Sequence, residues 1–112
     1  MEKKGLYKEA IEEFKDAIKE TDDLVPRMAS LVAIMKNNFP YYLWCGFYFV
    51  EKDELVVGPY QGLKACSVIG YGGVCGAAAK KKDTVIVPDV HKFPGHIVCD
   101  ERSKSEMVVP VF

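Results

Sequence analysis

Apolar side chains recur every three or four residues through the first third of the chain, with polar or charged residues between them. One stripe covers residues 7–18 and a second covers residues 24–39. This spacing is typical of one face of an amphipathic α-helix. Residues 21–23 offer N-cap side chains for the second helix, and Pro40 follows it. The pattern therefore predicts two helices, the second ending near residues 37–38.

Beyond residue 40 the pattern changes to short runs of aromatic and β-branched residues, which favour strands. Two such runs, Leu43–Val50 and Leu55–Val57, flank the charged residues 51–54 and predict a β-hairpin. The dipeptide Gly58–Pro59 is expected to end the second strand. A short apolar piece at 65–69 follows it.

The last third of the chain alternates short elements with a long connection. Glycines lead into a predicted helix over residues 74–82, and strands are predicted at 84–87 and 107–112. The connection between these strands, residues 89–105, is polar and carries both histidines and Cys99. Connections of this length are usually functional, so we expect the site there.

The sequence stops at Phe112, inside the last predicted strand, with no polar turn after it. An apolar strand left without a following element exposes an unpaired edge. We therefore expect either a C-terminally truncated chain or a chain completed by a partner. Pairing of this edge with a second copy is one form that such completion takes, so a homodimer is a possible assembly.

The composition is that of a globular domain. Of 112 residues, 49% are hydrophobic and 28% are charged, so the sequence predicts a single domain over residues 1–112, helical over 1–40 and built of sheet and loops over 41–112. The formal net charge is −1. No stripe of basic residues is interleaved with aromatics, so a nucleic-acid partner is not expected.

Membrane and secretory signals are not visible in the sequence. The longest apolar stretch, 41–50, is far shorter than the roughly 20 residues that a membrane-spanning helix needs. The N-terminus lacks the apolar segment of a signal peptide. We expect a cytoplasmic protein without membrane contact, and in that compartment cysteines are usually buried, metal-bound or catalytic.

Cys99 is the first candidate for chemistry. His96 and Arg102 flank it in the sequence and favour the reactive thiolate. The alternative is a buried cysteine without a role. Cys66 and Cys75 lie in glycine-bordered segments, and a second thiol within reach of a reactive one resolves its sulfenic acid as a disulfide. For these two as well, a purely structural role stays open.

Other residues support weaker hypotheses. His91, His96 and Cys99 with an aspartate would make a mixed metal-ligand set, but they lack the paired spacing of a zinc site, so no metal is expected. Glu106, before the last strand, is a candidate proton donor or ammonium ligand. Trp44 and Tyr48 are candidates for the wall of a small-molecule pocket, although aromatic residues in strands more often belong to the core.

Several segments resemble the GAF-domain free methionine-(R)-sulfoxide reductases. In chain order they are Trp44–Tyr48, Gly58–Gly62, Ala65–Cys66, Gly73–Gly76, Pro88–His91, Phe93–Asp100, Ser103–Glu106 and the run on to Val109–Pro110. They extend from about residue 44 to the end of the chain. Three cysteines in these contexts make the resemblance more specific than a general likeness to GAF domains.

The resemblance implies an α/β (α+β) fold, in which N-terminal helices pack on one face of a central antiparallel sheet. It also implies reduction of free methionine-(R)-sulfoxide, as part of the defence against oxidative stress. Cys99 matches the nucleophile, Cys66 the resolving cysteine and Cys75 an auxiliary thiol. Thioredoxin would then reduce the resulting Cys66–Cys99 disulfide, with electrons from NADPH and no bound cofactor.

The same resemblance implies a substrate site. Glu106 matches a carboxylate that holds the substrate or protonates the sulfoxide oxygen, and Trp44 packs near the methyl end of the substrate. Tyr48 and Asp100 are further substrate-binding candidates.

Two departures from the family pattern affect the functional prediction. The family continues with a strand that bears two aspartates and then a helix, and residues 68–71 are one residue shorter than usual and lack a proline. The alternatives are therefore a GAF module that binds a small molecule without turnover and an interaction module that uses the strand edge at 108–112.

Overall fold

The computed structural model describes residues 3–95 and 104–112. The chain divides into two compact units, unit 1 with Met1–Phe47 and Gly58–Leu63, and unit 2 with Tyr48–Val57 and Lys64–Phe112. The elements of the described residues are α1 (Lys3–Ala17), α2 (Leu24–Asn38), β1 (Trp44–Val50), β2 (Leu55–Gly62), β3 (Val68–Ile69), α3 (Val74–Lys81), β4 (Val85–Val87), a 3₁₀ turn (Val90–Lys92) and β5 (Glu106–Val108).

Unit 1 contains both predicted helices. Helix α1 packs against α2, and their contact buries Ala10, Met28 and Val32. Asp23 occupies the N-cap of α2, as the sequence predicts, but its side chain makes no capping hydrogen bond. Arg27 instead holds the connection, because its guanidinium donates to the carbonyl oxygens of residues 18 and 21.

The end of α2 is fixed by a small aromatic cluster. Phe39 is fully buried, with its ring centroid 4.6 Å from that of Tyr7 and 5.1 Å from that of Tyr42. The hydroxyls of these two tyrosines form a hydrogen bond of 2.8 Å. Aromatic pairs at these distances add to the energy gained from burial. The cluster therefore anchors the residue that follows α2.

The predicted hairpin is confirmed, but the expected break at Gly58–Pro59 is wrong, since β2 continues to Gly62. The reason lies in packing within unit 1. The Trp44 ring stacks on the Tyr60 ring with 5.4 Å between centroids. Gly46 lies beside this pair, and a Cβ there would collide with Tyr60 and Trp44. This cross-strand contact keeps the chain extended past the proline, which shows tertiary packing overriding local preference.

Strands β1, β2 and β3 form a three-stranded sheet in that order. The turn between β1 and β2 closes with a hydrogen bond from Glu51 N–H to the Glu54 carbonyl. Strand β3 pairs antiparallel with β2, and the register places Ile69 opposite the fully buried Leu55. This pairing brings the residues just before β3 to the sheet.

Unit 2 has its core around three buried valines, Val74, Val87 and Val90, which we call the valine cluster. Its other apolar members, partly buried against it, are Val85, Phe93 and Val108. Strand β4 pairs antiparallel with β5, and the register places Val87 opposite Glu106. The cluster therefore joins α3, β4, the 3₁₀ turn and β5.

The strand predicted over 107–112 is only partly confirmed, because β5 ends at Val108. Pro110 has no backbone N–H to donate to a ladder, so it does not continue a paired strand. The side chains of Val111 and Phe112 are 77% and 94% exposed.

Among the helices that the structure describes, none has the length and apolar character required to cross a membrane.

Gly76 provides a test of the packing of α3. A Cβ at this buried position would collide with the Tyr71 carbonyl group. Gly76→Ala is therefore expected to lower the free energy of unfolding by about 1–3 kcal/mol, the usual cost of overpacking a core. Urea unfolding monitored by circular dichroism measures this loss.

Gly70→Ala is the matched control, because Gly70 is exposed and its Cβ would meet no atom within 4 Å. Its effect should stay within about 0.5 kcal/mol. Equal unfolding midpoints for the two variants would show that α3 does not approach Tyr71 as described.

Candidate active site

Cys66 lies in unit 2, just before β3, and hydrogen bonds from two strands hold its carbonyl oxygen and that of the next residue. Tyr48 on β1 donates its hydroxyl to the Cys66 carbonyl oxygen at 2.6 Å. The next carbonyl, of Ser67, accepts a hydrogen bond from Val57 N–H on β2 at 2.9 Å. The preceding side chain, Ala65, is buried. The peptide that carries Cys66 is therefore fixed to the sheet.

The described cysteines differ in state. Cys45 and Cys75 have free thiols, whereas Cys66 is not a free thiol. The resemblance pairs Cys66 with Cys99, which lies outside the described residues. The Cys66–Cys99 disulfide therefore stays a prediction.

Cys75 is the second residue of α3 and is half-buried. Burial raises the pKa of its thiol to about 11, and the negative charge of Glu106 contributes in the same direction. Glu106 is half-buried at the start of β5. Because the thiolate is the reactive form, Cys75 is a weak nucleophile at neutral pH.

Hydrogen bonds and a close backbone approach hold the described residues before and after the segment that carries Cys99. Val90 N–H donates to the Lys104 carbonyl oxygen at 2.8 Å, and the Asp89 carboxylate accepts from His91 N–H at 3.0 Å. Gly95 has φ of +79°, and a Cβ there would lie 2.6 Å from the Gly72 carbonyl oxygen. The described residues before Cys99 therefore run against the loop that precedes α3.

The aromatic candidates occupy different units. Trp44 stacks on Tyr60 within unit 1, and Tyr48 in unit 2 uses its hydroxyl on the Cys66 backbone. Asp100, like Cys99, lies outside the described residues. Substrate contacts by Trp44, Tyr48, Asp100 and Glu106 therefore stay predictions.

Within residues 3–95 and 104–112, no group of three or more histidine, cysteine or acidic side chains is arranged to hold a metal ion. His91 is exposed and in the 3₁₀ turn. The alternative metal set also requires His96 and Cys99, which lie outside these ranges. The structure therefore leaves that alternative untested.

Sequence reasoning missed three features of the site region. Tyr48 was considered only as a pocket wall, whereas its hydroxyl anchors Cys66. The backbone of Gly76 approaches that of Tyr71 so closely that the residue after Cys75 has no room for a Cβ. The positive φ of Gly95 was also missed. Glycines next to cysteines were the available signal, but a sequence does not show which backbone approaches them.

Two proteins are similar in sequence over almost the whole of this chain. The chain is 40% identical over 112 residues to GAF domain-containing protein A of Dictyostelium discoideum, covering 98% of this chain and 70% of that protein. It is 37% identical over 112 residues to the free methionine-R-sulfoxide reductase of Escherichia coli, covering 99% of this chain and 68% of the relative. No family model matches the chain.

Solved structures agree with these relatives. The free methionine-R-sulfoxide reductase of Neisseria meningitidis, solved in complex with its substrate, superposes with a TM-score of 0.95 at 42% identity. The match covers 100% of this chain and 68% of that one. The fold is therefore a GAF fold with helices and antiparallel sheet, as the sequence predicts. Within that fold class, the chain belongs to the free methionine-R-sulfoxide reductase family.

The high pKa of Cys75 predicts its reactivity. Alkylation of Cys75 by iodoacetamide, followed by peptide mass spectrometry, should rise with pH to a midpoint near 11. Glu106→Gln removes a negative charge beside the thiol, so the midpoint should fall. It should nevertheless stay above the ordinary value of 9, because burial is the larger cause.

Glu54→Gln is the control, because Glu54 is an exposed acidic residue of the same unit outside the Cys75 environment. It should leave the midpoint unchanged. A Cys75 midpoint at or below 9 in the parent chain would contradict the described environment.

Proposed function

We propose that this chain reduces free methionine-(R)-sulfoxide to methionine by cysteine chemistry in unit 2. The observation that carries the proposal is the common location of its parts. Cys66, Cys75, Glu106 and the described chain on both sides of Cys99 belong to one compact unit, in a member of this reductase family. The anchored ends of the Cys99 segment support a site built between α3 and β5.

The first step takes place at Cys99. Its thiolate attacks the sulfoxide sulfur and forms a bond to it, while the substrate oxygen takes up two protons and leaves as water. Attack of water on the cysteine sulfur then breaks this sulfur–sulfur bond, which releases methionine and leaves the sulfenic acid. The net change is that sulfoxide and thiol become methionine and a cysteine sulfenic acid, so the substrate sulfur gains two electrons and the cysteine sulfur loses two. The oxygen needs a proton to leave, and Glu106 is the proposed donor.

The second step takes place at Cys66. Its thiolate attacks the sulfur of the Cys99 sulfenic acid, the new sulfur–sulfur bond forms, and the hydroxyl leaves as water with the proton that the Cys66 thiol released. Cys66 suits this role because Tyr48 holds its carbonyl oxygen and Val57 holds the carbonyl oxygen of the next residue, Ser67. Cys75 has a protonated thiol at neutral pH, so we assign it an auxiliary role.

The third step restores both thiols. A dithiol protein of the thioredoxin type supplies two electrons and two protons and is itself left as a disulfide, which NADPH re-reduces through a reductase. The domain then needs no bound cofactor. Tyr48 and Asp100 are proposed to complete the substrate site.

A single-turnover experiment tests the first two steps. Fully reduced protein mixed with excess free methionine-(R)-sulfoxide, without reductant, should form one methionine per chain. Peptide mapping by mass spectrometry should locate one new disulfide between Cys66 and Cys99. Methionine-(S)-sulfoxide should give neither product.

Cys99→Ser should abolish methionine formation, because it removes the nucleophile. Cys45→Ser is the matched control, since it removes a different thiol of the chain, one that lies in unit 1. Undiminished methionine formation by Cys99→Ser would contradict the mechanism. Tight binding of the sulfoxide without any methionine would instead favour the binding module.

Recycling has its own test. With thioredoxin, its reductase and NADPH present, methionine should accumulate beyond one equivalent, and NADPH should be consumed one for one. Omitting thioredoxin should limit the yield to the single turnover. Equal yields with and without thioredoxin would rule out the proposed reductant.

A further inference from the structure

We infer that Tyr48 is a positioning residue for the second step, in which Cys66 attacks the sulfenic acid on Cys99. The inference rests on the proposed function. It assigns a role to the hydroxyl of Tyr48 that is separate from substrate contact by its ring. The hydroxyl acts through the Cys66 peptide and does not itself react.

The argument starts from where Cys66 lies. Residues 63–67 connect β2 to β3 and are outside the strand ladders. The first ladder-like bond on this side is the one from Val57 N–H to the Ser67 carbonyl oxygen. The carbonyl of Cys66 points to a side chain instead, and accepts the Tyr48 hydroxyl at 2.6 Å. The Tyr48 hydroxyl therefore contributes to the orientation of the Cys66 peptide.

Tyr48 is well placed to hold a peptide. It lies within β1, the first strand of the hairpin, and it is half-buried. A short hydroxyl-to-carbonyl bond from a strand fixes both the distance and the direction of the accepting group. With the Ser67 carbonyl also held, rotation of the Cys66 peptide is restricted from both the β1 and the β2 side.

This restriction matters for the second step more than for the first. A thiol attacks a sulfenic sulfur along one line, and orienting the two groups beforehand lowers the entropic cost of the reaction. Loosening the Cys66 peptide therefore slows its attack. The sulfenic acid on Cys99 then survives longer and becomes available to an external trap.

The chain offers a matched control in Tyr71. Its hydroxyl donates to the backbone carbonyl of Glu51 at 2.7 Å, so Tyr71→Phe removes a tyrosine-to-carbonyl bond of the same kind. Both tyrosines belong to unit 2. The Tyr71 bond, however, does not involve the Cys66 peptide. A general effect of losing such a bond appears in both variants, whereas the positioning effect appears in Tyr48→Phe alone.

The experiment measures how the sulfenic acid partitions. Reduced protein reacts with free methionine-(R)-sulfoxide in the presence of dimedone, at a concentration that traps a minor share of the sulfenic acid in the parent chain. Mass spectrometry gives the ratio of dimedone-labelled Cys99 to Cys66–Cys99 disulfide, per methionine formed. This ratio isolates the second step from any change in the first.

Tyr48→Phe is expected to raise the ratio about two- to tenfold. This is the fold-change that corresponds to the usual free-energy contribution of one such hydrogen bond. Tyr71→Phe should leave it unchanged. 4-Aminophenylalanine at position 48, whose N–H groups can donate to the carbonyl, should restore a ratio near that of the parent. Circular dichroism and urea unfolding establish that each variant is folded.

Three contrary results separate the proposed function from the positioning role. No methionine from the folded parent chain would overturn the proposed function itself. Methionine with an equal ratio in the parent chain and Tyr48→Phe would overturn the positioning role alone. An equal increase in Tyr48→Phe and Tyr71→Phe would also overturn it, because the effect would then be a general loss of stability.

Discussion

The valine cluster is the constraint on which the arrangement of unit 2 depends. Val74 is the first residue of α3 and directly precedes Cys75, and Val87 is the register partner of Glu106. Val90 is fully buried, and its N–H bonds to Lys104. Val74 and Val87 are therefore neighbours of Cys75 and Glu106, in sequence and across the strand pair respectively, and Val90 holds the described chain just after the Cys99 segment. Burial of apolar side chains thus sets the positions of polar ones.

Cys66 and Cys75, both in unit 2, lie in different environments, and this difference supports the separate roles proposed for them. The carbonyl oxygen of Cys66 accepts a hydrogen bond from Tyr48 on β1, and the carbonyl oxygen of Ser67 accepts one from β2. Cys75 sits at the start of a helix, where burial and the charge of Glu106 keep it protonated. A protonated thiol does not compete for an electrophilic sulfur at neutral pH. The environment of Cys75 therefore supports the proposed assignment of the second step to Cys66.

Much of the fold could be predicted from the sequence, because local patterns and final packing agree over most of it. The helices over 3–17 and 24–38, the hairpin and the helix at 74–81 follow from apolar spacing and turn residues. Prediction failed at Gly58–Pro59, where stacking of Trp44 on Tyr60 keeps the strand extended. Such a contact joins residues far apart in the chain, and no local pattern encodes it.

The candidate site shows the same division. Cysteine contexts identified Cys66 and Cys75, because their sequence surroundings are specific. The hydroxyl of Tyr48 on the Cys66 carbonyl was not predictable, since it depends on the placement of a strand beside an irregular connection. The effect of Glu106 on Cys75 depends likewise on the pairing of β5 with β4.

The most direct test of the account is a crystal structure of the Cys99→Ser variant with free methionine-(R)-sulfoxide bound. The account predicts that the sulfoxide sulfur lies against the side chain at position 99, at roughly the 3–3.5 Å of a reacting pair. It also predicts the Cys66 thiol on the same side of that residue, with its carbonyl still bonded to Tyr48. A sulfoxide bound away from position 99, or a Cys66 thiol facing away from it, would contradict the account.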